Sequence, residues 1–368
     1  MRRRAWARPT GTAIRLCSQL DSVSSDVLGE RKKAGGSVEG VSTGSPRVLP
    51  ADGDLTEAAT VLRTGGLVAF PTETVYGLGA NALDARAAAR IFEAKQRPSF
   101  DPLITHLADA ADLEALVGSV PPAVAALADR FWPGPLTLIV DRPDAIPPIV
   151  TSGLATMAVR VPDNEYARRL IAAAGVPVAA PSANRFGQLS PTRAEHVVRG
   201  LGAAVEVVLD GGPARCGIES TIVDARGDRP VVLRLGALPV EEVEKVTGPV
   251  TVRLGNSGQP VAPGTLAAHY APRTPLRLLA AGESAAGGGP RRGYLAFRDR
   301  PAQSWAAVEV LSASGDLTEA AARLFEALHR LDAAGVTEIV AEPVPETGVG
   351  RAVNDRLRRA AATWQPAG

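Results

Sequence analysis

The sequence predicts an α/β fold, and three observations carry that prediction. Short apolar runs, such as Leu67–Phe70 and Met157–Val161, alternate with segments of helical periodicity. Helix-start signals precede several of those segments, as Asp84 does before an alanine-rich stretch. A proline- and glycine-rich stretch, Asn256–Pro275, separates two regions of this kind. Strands alternating with helices are typical of layered α/β domains, so we expect two such domains.

In the first domain, Asp54 and Glu57 have the spacing of a capping box, and the helix they open should end at Gly65-Gly66. The next helix should run from Asp84 to about Arg97-Pro98, because the residue before a proline rarely continues a helix. Further helices are expected at Pro122–Arg130, Glu165–Ala174 and Thr192–Gly200. Further strands are expected at Leu67–Phe70, Leu103–Thr105, Leu136–Val140, Met157–Val161, Val176–Ala180, Val205–Leu209, Thr221–Val223 and Val231–Leu235.

The second domain repeats the alternation on a smaller scale. Its strands are expected at Leu276–Leu279, Gly293–Phe297, Val308–Leu311 and Glu338–Ala341, and its helices at Asp316–Ala334 and about Arg351–Ala362. The string GDLTEAA at both Gly53–Ala59 and Gly315–Ala321 predicts one type of cap at two helix starts. We therefore divide the chain into a disordered extension (1–45), a catalytic domain (46–248), a linker (249–275) and a small α/β domain (276–368).

Composition excludes several classes of protein. The formal net charge of +1 leaves no global field for nucleic acid or membrane, so any recognition of phosphates must be local. Two cysteines, Cys17 and Cys216, and four scattered histidines form neither a disulfide framework nor a metal-ligand spacing. No run approaches the ~18 apolar residues that span a bilayer. A cytoplasmic enzyme fits these observations best.

Two short polar signatures stand out from the apolar background. Lys95-Gln96-Arg97-Pro98 places two cations at the end of a predicted helix. Ser182 and Asn184 follow an apolar run, so they should lie at the carboxyl end of a strand, where open α/β sheets bind ligands. Together the signatures indicate a site for an anion that carries phosphates, and nucleotide chemistry is the first interpretation.

Simpler interpretations stay open at this point. Lys95 and Arg97 are also the cations that a helix C-terminus favours. The run Pro71–Gly79 can offer hydroxyls to a ligand or merely form a turn, and it lacks P-loop spacing. Within it, Glu73 is interpreted as a solvated carboxylate. Arg160, inside an apolar strand, predicts an anionic partner, which is either a ligand carboxylate or an acidic residue of the protein.

The motifs resemble the threonylcarbamoyl-AMP synthase family, whose catalytic domain is called YrdC-like. The matching strings, in order from Phe70 to Gly236, are PTETVYGLG, KxRP, PLITH, WPGPLT, AVRVP, APSAN, SPT, GIESTIVD and LRLG. The segment APGTLAAHYAP and the second domain are similar to the long, two-domain form of the family. The resemblance implies a YrdC-like twisted open sheet with flanking helices, followed by a smaller, Rossmann-like α/β domain.

The resemblance implies a nucleotidyltransferase that condenses L-threonine, bicarbonate or CO2, and ATP into threonylcarbamoyl-AMP and pyrophosphate, for N6-threonylcarbamoyladenosine formation in tRNA. It assigns L-threonine binding to Thr72, His106, Arg160, Ser182 and Ser220. It assigns ATP binding to Lys95, Arg97, Thr156, Ser182, Asn184, Ser190, Arg234 and Tyr270. Of these, Lys95, Arg97, Ser182 and Asn184 are expected to be catalytic.

Further expectations follow from the resemblance. Mg2+ should arrive with ATP, because the sequence offers no carboxylate cluster for a metal site. A tRNA-modifying transferase complex is the expected downstream partner, and no membrane partner is expected. Asp101 replaces the usual asparagine of the family, so it should either weaken phosphate binding or pair with Lys95 or Arg97. Tyr270 is expected to lie over the nucleotide as part of a gate, with packing between the domains as the alternative.

Two other functions are weighed against this one. A carbamoyl-adenylate-forming module of hydrogenase maturation would belong to a chain with Cys-x2-Cys pairs, which are absent here. A double-stranded RNA-binding module would need a basic face, which the balanced charge does not favour.

Overall fold

The computed structural model describes residues 45–255, 262–264, 269–280, 282–283 and 288–362. The predicted extension, including Cys17, falls almost wholly outside these residues, as does part of the predicted linker. No helix in the described ranges has both the length and the apolar composition that crossing a membrane requires.

The first part of the chain forms a large mixed sheet with helices packed around it. Its strands are β1 Arg47–Pro50, β2 Val68–Phe70, β3 Gly77–Asn81, β4 Ile104–His106, β5 Leu136–Asp141, β6 Thr156–Arg160, β7 Val178–Ala179, β8 Val207–Asp210, β9 Thr221–Asp224, β10 Val231–Arg234 and β11 Thr251–Val252. Their order across the sheet is β1-β8-β2-β3-β7-β4-β6-β5-β9-β10-β11. The helices are α1 Thr56–Arg63, α2 Ala85–Lys95, α3 Ala111–Val117, α4 Pro122–Phe131, α5 Glu165–Ala174, α6 Ala194–Leu201 and α7 Val240–Thr247.

A smaller sheet follows, and its strands pair only in parallel. Its strands are β12 Leu276–Leu278, β13 Gly289–Ala296, β14 Trp305–Val310 and β15 Glu338–Ala341, in the order β12-β15-β13-β14. Its helices are α8 Leu317–Ala333 and α9 Gly350–Ala362. The predicted α/β class is therefore confirmed, with one sheet in each half of the chain.

One hydrophobic cluster runs through both halves. It includes Leu67 beside the large sheet, Leu324 and Leu328 of α8, and Leu357 of α9, each at most 1% exposed. Because these side chains form a continuous buried set, the small sheet and its helices pack directly against the catalytic half. The large sheet also extends to β11, which lies inside the segment predicted as linker and pairs in parallel with β10.

The two helix starts that share a sequence string are capped differently. At α8, Asp316 Oδ1 accepts hydrogen bonds from the amides of Thr318 and Glu319, which is the expected cap. At α1, Asp54 Oδ1 accepts from the amide and hydroxyl of Thr56. The capping box predicted there is wrong, because Glu57 forms an ion pair with an arginine of β1 instead of reaching back to the helix start.

The run Pro71–Gly79 does not end as a loop, since β3 begins within it at Gly77. Phe70 pairs with Gly77 across the β2–β3 ladder, and a Cβ on Gly79 would lie 2.7 Å from the ring of Phe70. Gly79 therefore leaves room for the buried ring of Phe70, with which a side chain at position 79 would collide. The sequence analysis missed this strand because glycine is normally depleted in strands.

Candidate functional site

A cavity opens among the predicted site residues, at the ends of several strands of the large sheet. Eight of those residues line it: Thr72, Arg97, His106, Arg160, Ser182, Ser220, Arg234 and Tyr270. Three further polar residues that the sequence analysis did not assign also line it: Thr74, Glu219 and His269. The cavity therefore combines arginines with hydroxyl groups in one space.

Arg160 is held rigidly at one side of this cavity. Its Nε donates to the carbonyl of Gly134 at 3.1 Å, and its Nη1 donates to Thr74 Oγ1 at 2.9 Å. Its Nη2 lies 2.6 Å from Glu73 Oε1, and both side chains are almost fully buried. The sequence analysis expected Glu73 to be solvated, and this expectation is wrong. Glu73 is buried and serves as the acidic partner that the burial of an arginine requires.

Hydroxyl groups and a neutral imidazole surround that guanidinium. Thr72 Oγ1 lies 2.8 Å from Thr74 Oγ1 and donates to the carbonyl of Val75 at 2.6 Å. His106 is 3% exposed, and its Nδ1 lies 3.2 Å from the carbonyl of Ile104. Burial and the nearby Arg160 lower the pKa of His106 to about 3. The imidazole is consequently uncharged near neutral pH.

Lys95, Arg97 and Asp101 form the second charged cluster. Arg97 donates through Nε to the carbonyl of Asp101 at 3.0 Å, and its Nη2 lies 2.9 Å from Asp101 Oδ2. Asp101 therefore forms an ion pair with Arg97, which was one of the two roles that the sequence analysis expected for it. Lys95 Nζ donates to the carbonyls of Ser182 (2.6 Å) and Asn184 (2.5 Å). Burial, followed by the charge of Arg97, holds the pKa of Lys95 well below its usual range.

Arg234 and Ser220 form the opposite wall. Arg234 donates to the carbonyl and to Oγ of Ser220, each at 3.0 Å, and to the carbonyl of Pro263 at 3.0 Å. Ser220 Oγ also lies 2.7 Å from Thr137 Oγ1. These hydrogen bonds of Arg234 all reach neutral oxygens, and the carboxylate of Glu219 offsets the charge of this guanidinium electrostatically rather than through an ion pair.

Four predicted residues do not line this cavity. Lys95 does not line the cavity but donates hydrogen bonds to the backbone carbonyls of Ser182 and Asn184. Asn184 lines a neighbouring cleft. Ser190 is fully buried and donates to Glu219 Oε1 at 2.5 Å. Thr156 starts β6 at the end opposite Arg160, roughly 13 Å along the strand, so the structure does not bring it to the cavity as an ATP ligand.

Residues of the predicted linker close the cavity. We call residues 262–264 and 269–271 the strap, of which Pro263, Gly264, His269 and Tyr270 line the cavity. Tyr270 is 1% exposed, has a positive φ of 63°, and packs against Phe325 of α8 with ring centroids 5.7 Å apart. Tyr270 therefore faces the cavity and also packs between the two halves of the chain. The packing expected as the alternative is therefore present, and the position of Tyr270 over a nucleotide stays a prediction.

The carboxylates beside the cavity are all engaged. Glu73 pairs with Arg160, Asp101 with Arg97, and Glu219 with Arg356. Within the described ranges, no group of three or more histidine, cysteine, aspartate or glutamate side chains could hold a metal ion.

The fold and this cavity define the class of protein: a two-domain α/β protein with an arginine-rich cavity at the strand ends of its larger sheet. Residues 60–236 match the family model described as Telomere recombination (Sua5, YciO and YrdC). Residues 238–362 match the family model of the threonylcarbamoyl-AMP synthase C-terminal domain.

Curated relatives extend this result over most of the chain. The threonylcarbamoyl-AMP synthase of Bacillus subtilis is 44% identical over 84% of this chain and 93% of its own length. That of Pyrococcus abyssi is 44% identical over 82% of this chain and 92% of its own. The crystal structure of P. abyssi Sua5 complexed with L-threonine superimposes with a TM-score of 0.76, at 40% identity over 84% of this chain and 94% of that one. The chain belongs to the threonylcarbamoyl-AMP synthase family, in its two-domain form.

Proposed function

We propose that the protein condenses L-threonine, bicarbonate or CO2, and ATP into threonylcarbamoyl-AMP and pyrophosphate. The observation that carries the proposal is that one cavity joins Arg160 and its hydroxyl neighbours to Arg97 and Arg234. An amino acid and a polyphosphate need those two kinds of environment side by side. The relatives of known name favour this function over RNA binding and over hydrogenase maturation.

In this proposal, L-threonine lies beside Arg160, which binds its carboxylate, with the hydroxyls of Thr72 and Ser220 and neutral His106 nearby. Arg160 and its held neighbours keep the amine oriented toward CO2 or bicarbonate. The neutral amine attacks the carbon of CO2, forms a C–N bond and releases a proton to solvent; from bicarbonate, water is lost instead. An oxygen of the resulting carbamate attacks the α-phosphorus of ATP, and the bond from that phosphorus to the bridging oxygen breaks as pyrophosphate leaves. The protein supplies no covalent nucleophile, so its contribution is orientation and stabilisation of charge.

The phosphates of ATP lie beside Arg97 and Arg234, while Lys95 fixes the backbone at Ser182 and Asn184. Because the nearby carboxylates are already ion-paired, we propose that Mg2+ enters as part of the substrate, held by phosphate oxygens. Closure of the strap over the cavity would protect the carbamate and the mixed anhydride from water. The product is a reactive adenylate, so a tRNA-modifying transferase must consume it.

The decisive experiment measures pyrophosphate release from ATP and bicarbonate with L-threonine, L-valine or L-alanine. We expect threonine to stimulate release far more than valine, because a buried polar site left unpaired costs ~1–3 kcal/mol. The AMP-linked product should form only with threonine. Equal stimulation by valine would contradict the proposed substrate.

A further inference from the structure

Arg356 of helix α9 is the largest fully buried side chain in the described part of the protein. Its Nε lies 2.8 Å from Glu219 Oε2, and its Nη1 lies 2.7 Å from Asp355 Oδ2. Its Nη2 donates to the carbonyl of Leu235 at 2.8 Å. An arginine from the C-terminal helix is thus bonded to two positions of the catalytic half.

Glu219 connects this arginine to the cavity. It lines the cavity wall next to Ser220, is 6% exposed, and accepts a hydrogen bond from Ser190 through its other oxygen. A carboxylate in this position faces the space that the proposed function assigns to an anionic substrate. Without a cationic partner, its charge would remain buried and would repel phosphates.

The same helix also holds the strap. The guanidinium carbon of Arg356 lies 4.9 Å from the centre of the Tyr270 ring, a cation–π arrangement. The amide of His269 donates to the carbonyl of Arg359, one turn further along α9, at 3.4 Å. Two consecutive cavity-lining residues of the strap therefore contact α9 directly.

We propose that Arg356 is a positioning residue for ATP binding that the C-terminal domain supplies to the cavity. It neutralises Glu219 and supports the ring of Tyr270, so the wall around Arg234 keeps the positive charge that a polyphosphate needs. The identity of the anion rests on the proposed function. In this view the C-terminal domain completes the substrate site rather than merely following it in the chain.

The test is a double-mutant cycle in the full-length chain, with ATP binding measured by calorimetry and KM measured for both substrates. Arg356→Met should raise the Kd for ATP by about tenfold or more, because it leaves a buried carboxylate unpaired. The KM for L-threonine should change much less. In a Glu219→Gln background the same substitution should raise the Kd by no more than about threefold, since the charge to be neutralised is gone.

Arg358→Met is the matched control, because Arg358 lies on the same helix but pairs with Glu346 at the surface. It should bind ATP like the wild type. An unchanged Kd in Arg356→Met, or an equal rise in both backgrounds, would overturn the proposal. If Arg356→Met does not fold, Arg356→Lys provides the test, because lysine keeps a positive charge at this position. Its Kd for ATP should then lie within about threefold of the wild-type value, and a larger rise in Kd would contradict a role in neutralising Glu219.

The two proposals fail in different ways. A wild-type protein that binds ATP but releases no threonine-dependent pyrophosphate would refute the proposed function. The same result would leave the proposed role of Arg356 open to test, because that role is measured by the affinity for ATP and not by pyrophosphate release.

Discussion

Two of the three arginines in the cavity wall already have an acidic partner. Arg97 pairs with Asp101 and Arg160 pairs with Glu73, whereas Arg234 donates to neutral oxygens. A substrate carboxylate or phosphate that binds Arg97 or Arg160 must therefore share that arginine with the protein's own carboxylate, or displace this carboxylate. Substrate affinity should depend on these internal anions as much as on the arginines themselves.

Asp101→Asn should lower the KM for ATP. The substitution removes a buried negative charge 2.9 Å from Arg97 while keeping the size and shape of the side chain, so more of the charge of Arg97 is left for a phosphate. Pyrophosphate release measured against ATP at saturating threonine checks this. Asp163→Asn is the control, because Asp163 pairs with an exposed arginine, and it should leave KM unchanged. A raised KM would show that Asp101 is required to orient Arg97.

Lys95→Met should reduce both activity and stability. Lys95 Nζ serves two buried carbonyls, and leaving such groups unpaired costs ~1–3 kcal/mol each. Urea unfolding measures the loss. The control is Lys245→Met, since Lys245 also lies in the last turn of its helix but is exposed and pairs with Glu242. A stability loss equal to that of the control would mean that Lys95 acts only as a helix-end cation.

Most of the residues that line the cavity could be selected from the sequence, but their pairing could not. Arg160 required some anion, and only the fold brings Glu73 to it from a different strand end. Lys95 carries the same local signals as any helix-end cation, so its full burial could not be predicted. Residue type and spacing indicate chemistry, whereas burial is decided by packing between distant segments.

At the level of elements, long periodic segments were predicted well and short ones were not. Helices α2, α5 and α8 begin at the expected residues, each with an Asp or Asn side chain capping backbone amides. Strands β1, β3 and β11 and helices α3 and α7 were missed, β3 because of its glycines. Strands β1 and β11 have four and two residues, too few for a periodic pattern to emerge.

The strap should be sensitive to the addition of a single methyl group at Gly264. Gly264 has a φ of +72°, and a Cβ there would lie 2.5 Å from the hydroxyl of Tyr270 and 3.1 Å from Nη1 of Arg234. Gly264→Ala should displace both side chains, so the KM for ATP should rise and kcat should fall.

Gly255→Ala is the matched control for that substitution. Its φ of +82° brings the same backbone strain, but no atom lies within 4 Å of the added Cβ. Kinetics of pyrophosphate release should distinguish the two variants clearly. If both behave alike, backbone strain explains the effect and the contact with Tyr270 has no role.

At the scale of the whole molecule, the two halves are joined by buried polar contacts as well as by apolar packing. His196 of α6 and His329 of α8 stack with ring centroids 3.8 Å apart and planes inclined by 23°. His329 Nε2 lies 3.1 Å from the carbonyl of Ser190, and His196 Nε2 lies 3.8 Å from Glu326. Two neutral rings can stack in this way, whereas two imidazolium ions would repel one another.

This stack predicts how the stability of the protein depends on pH. Burial lowers the pKa of His196 and of His329 to about 4, and for His329 the neighbouring His196 adds to the effect. Among the surrounding charged groups, two carboxylates act in the opposite direction: Glu326 raises the pKa of His196, and Asp332 raises that of His329. The neighbouring arginines lower these pKa values further; they are Arg193, Arg199 and Arg330. Both imidazoles titrate near pH 6.5 when the chain is unfolded. Below that pH the unfolded state binds more protons, so stability is lost as the pH falls from about 6.5 to 4.

The double variant His196→Asn/His329→Gln isolates this contribution, since the amides can replace the hydrogen bonds of Nδ1 and Nε2 but cannot titrate. Urea unfolding at pH 7, 6 and 5 gives the free energy of unfolding for each protein. The wild type should lose stability more steeply, by up to about 1.4 kcal/mol per pH unit for each histidine. Because the stack joins α6 to α8, the loss should appear in both halves of the molecule together. Parallel pH profiles for the two proteins would mean that the imidazoles protonate without disturbing this contact.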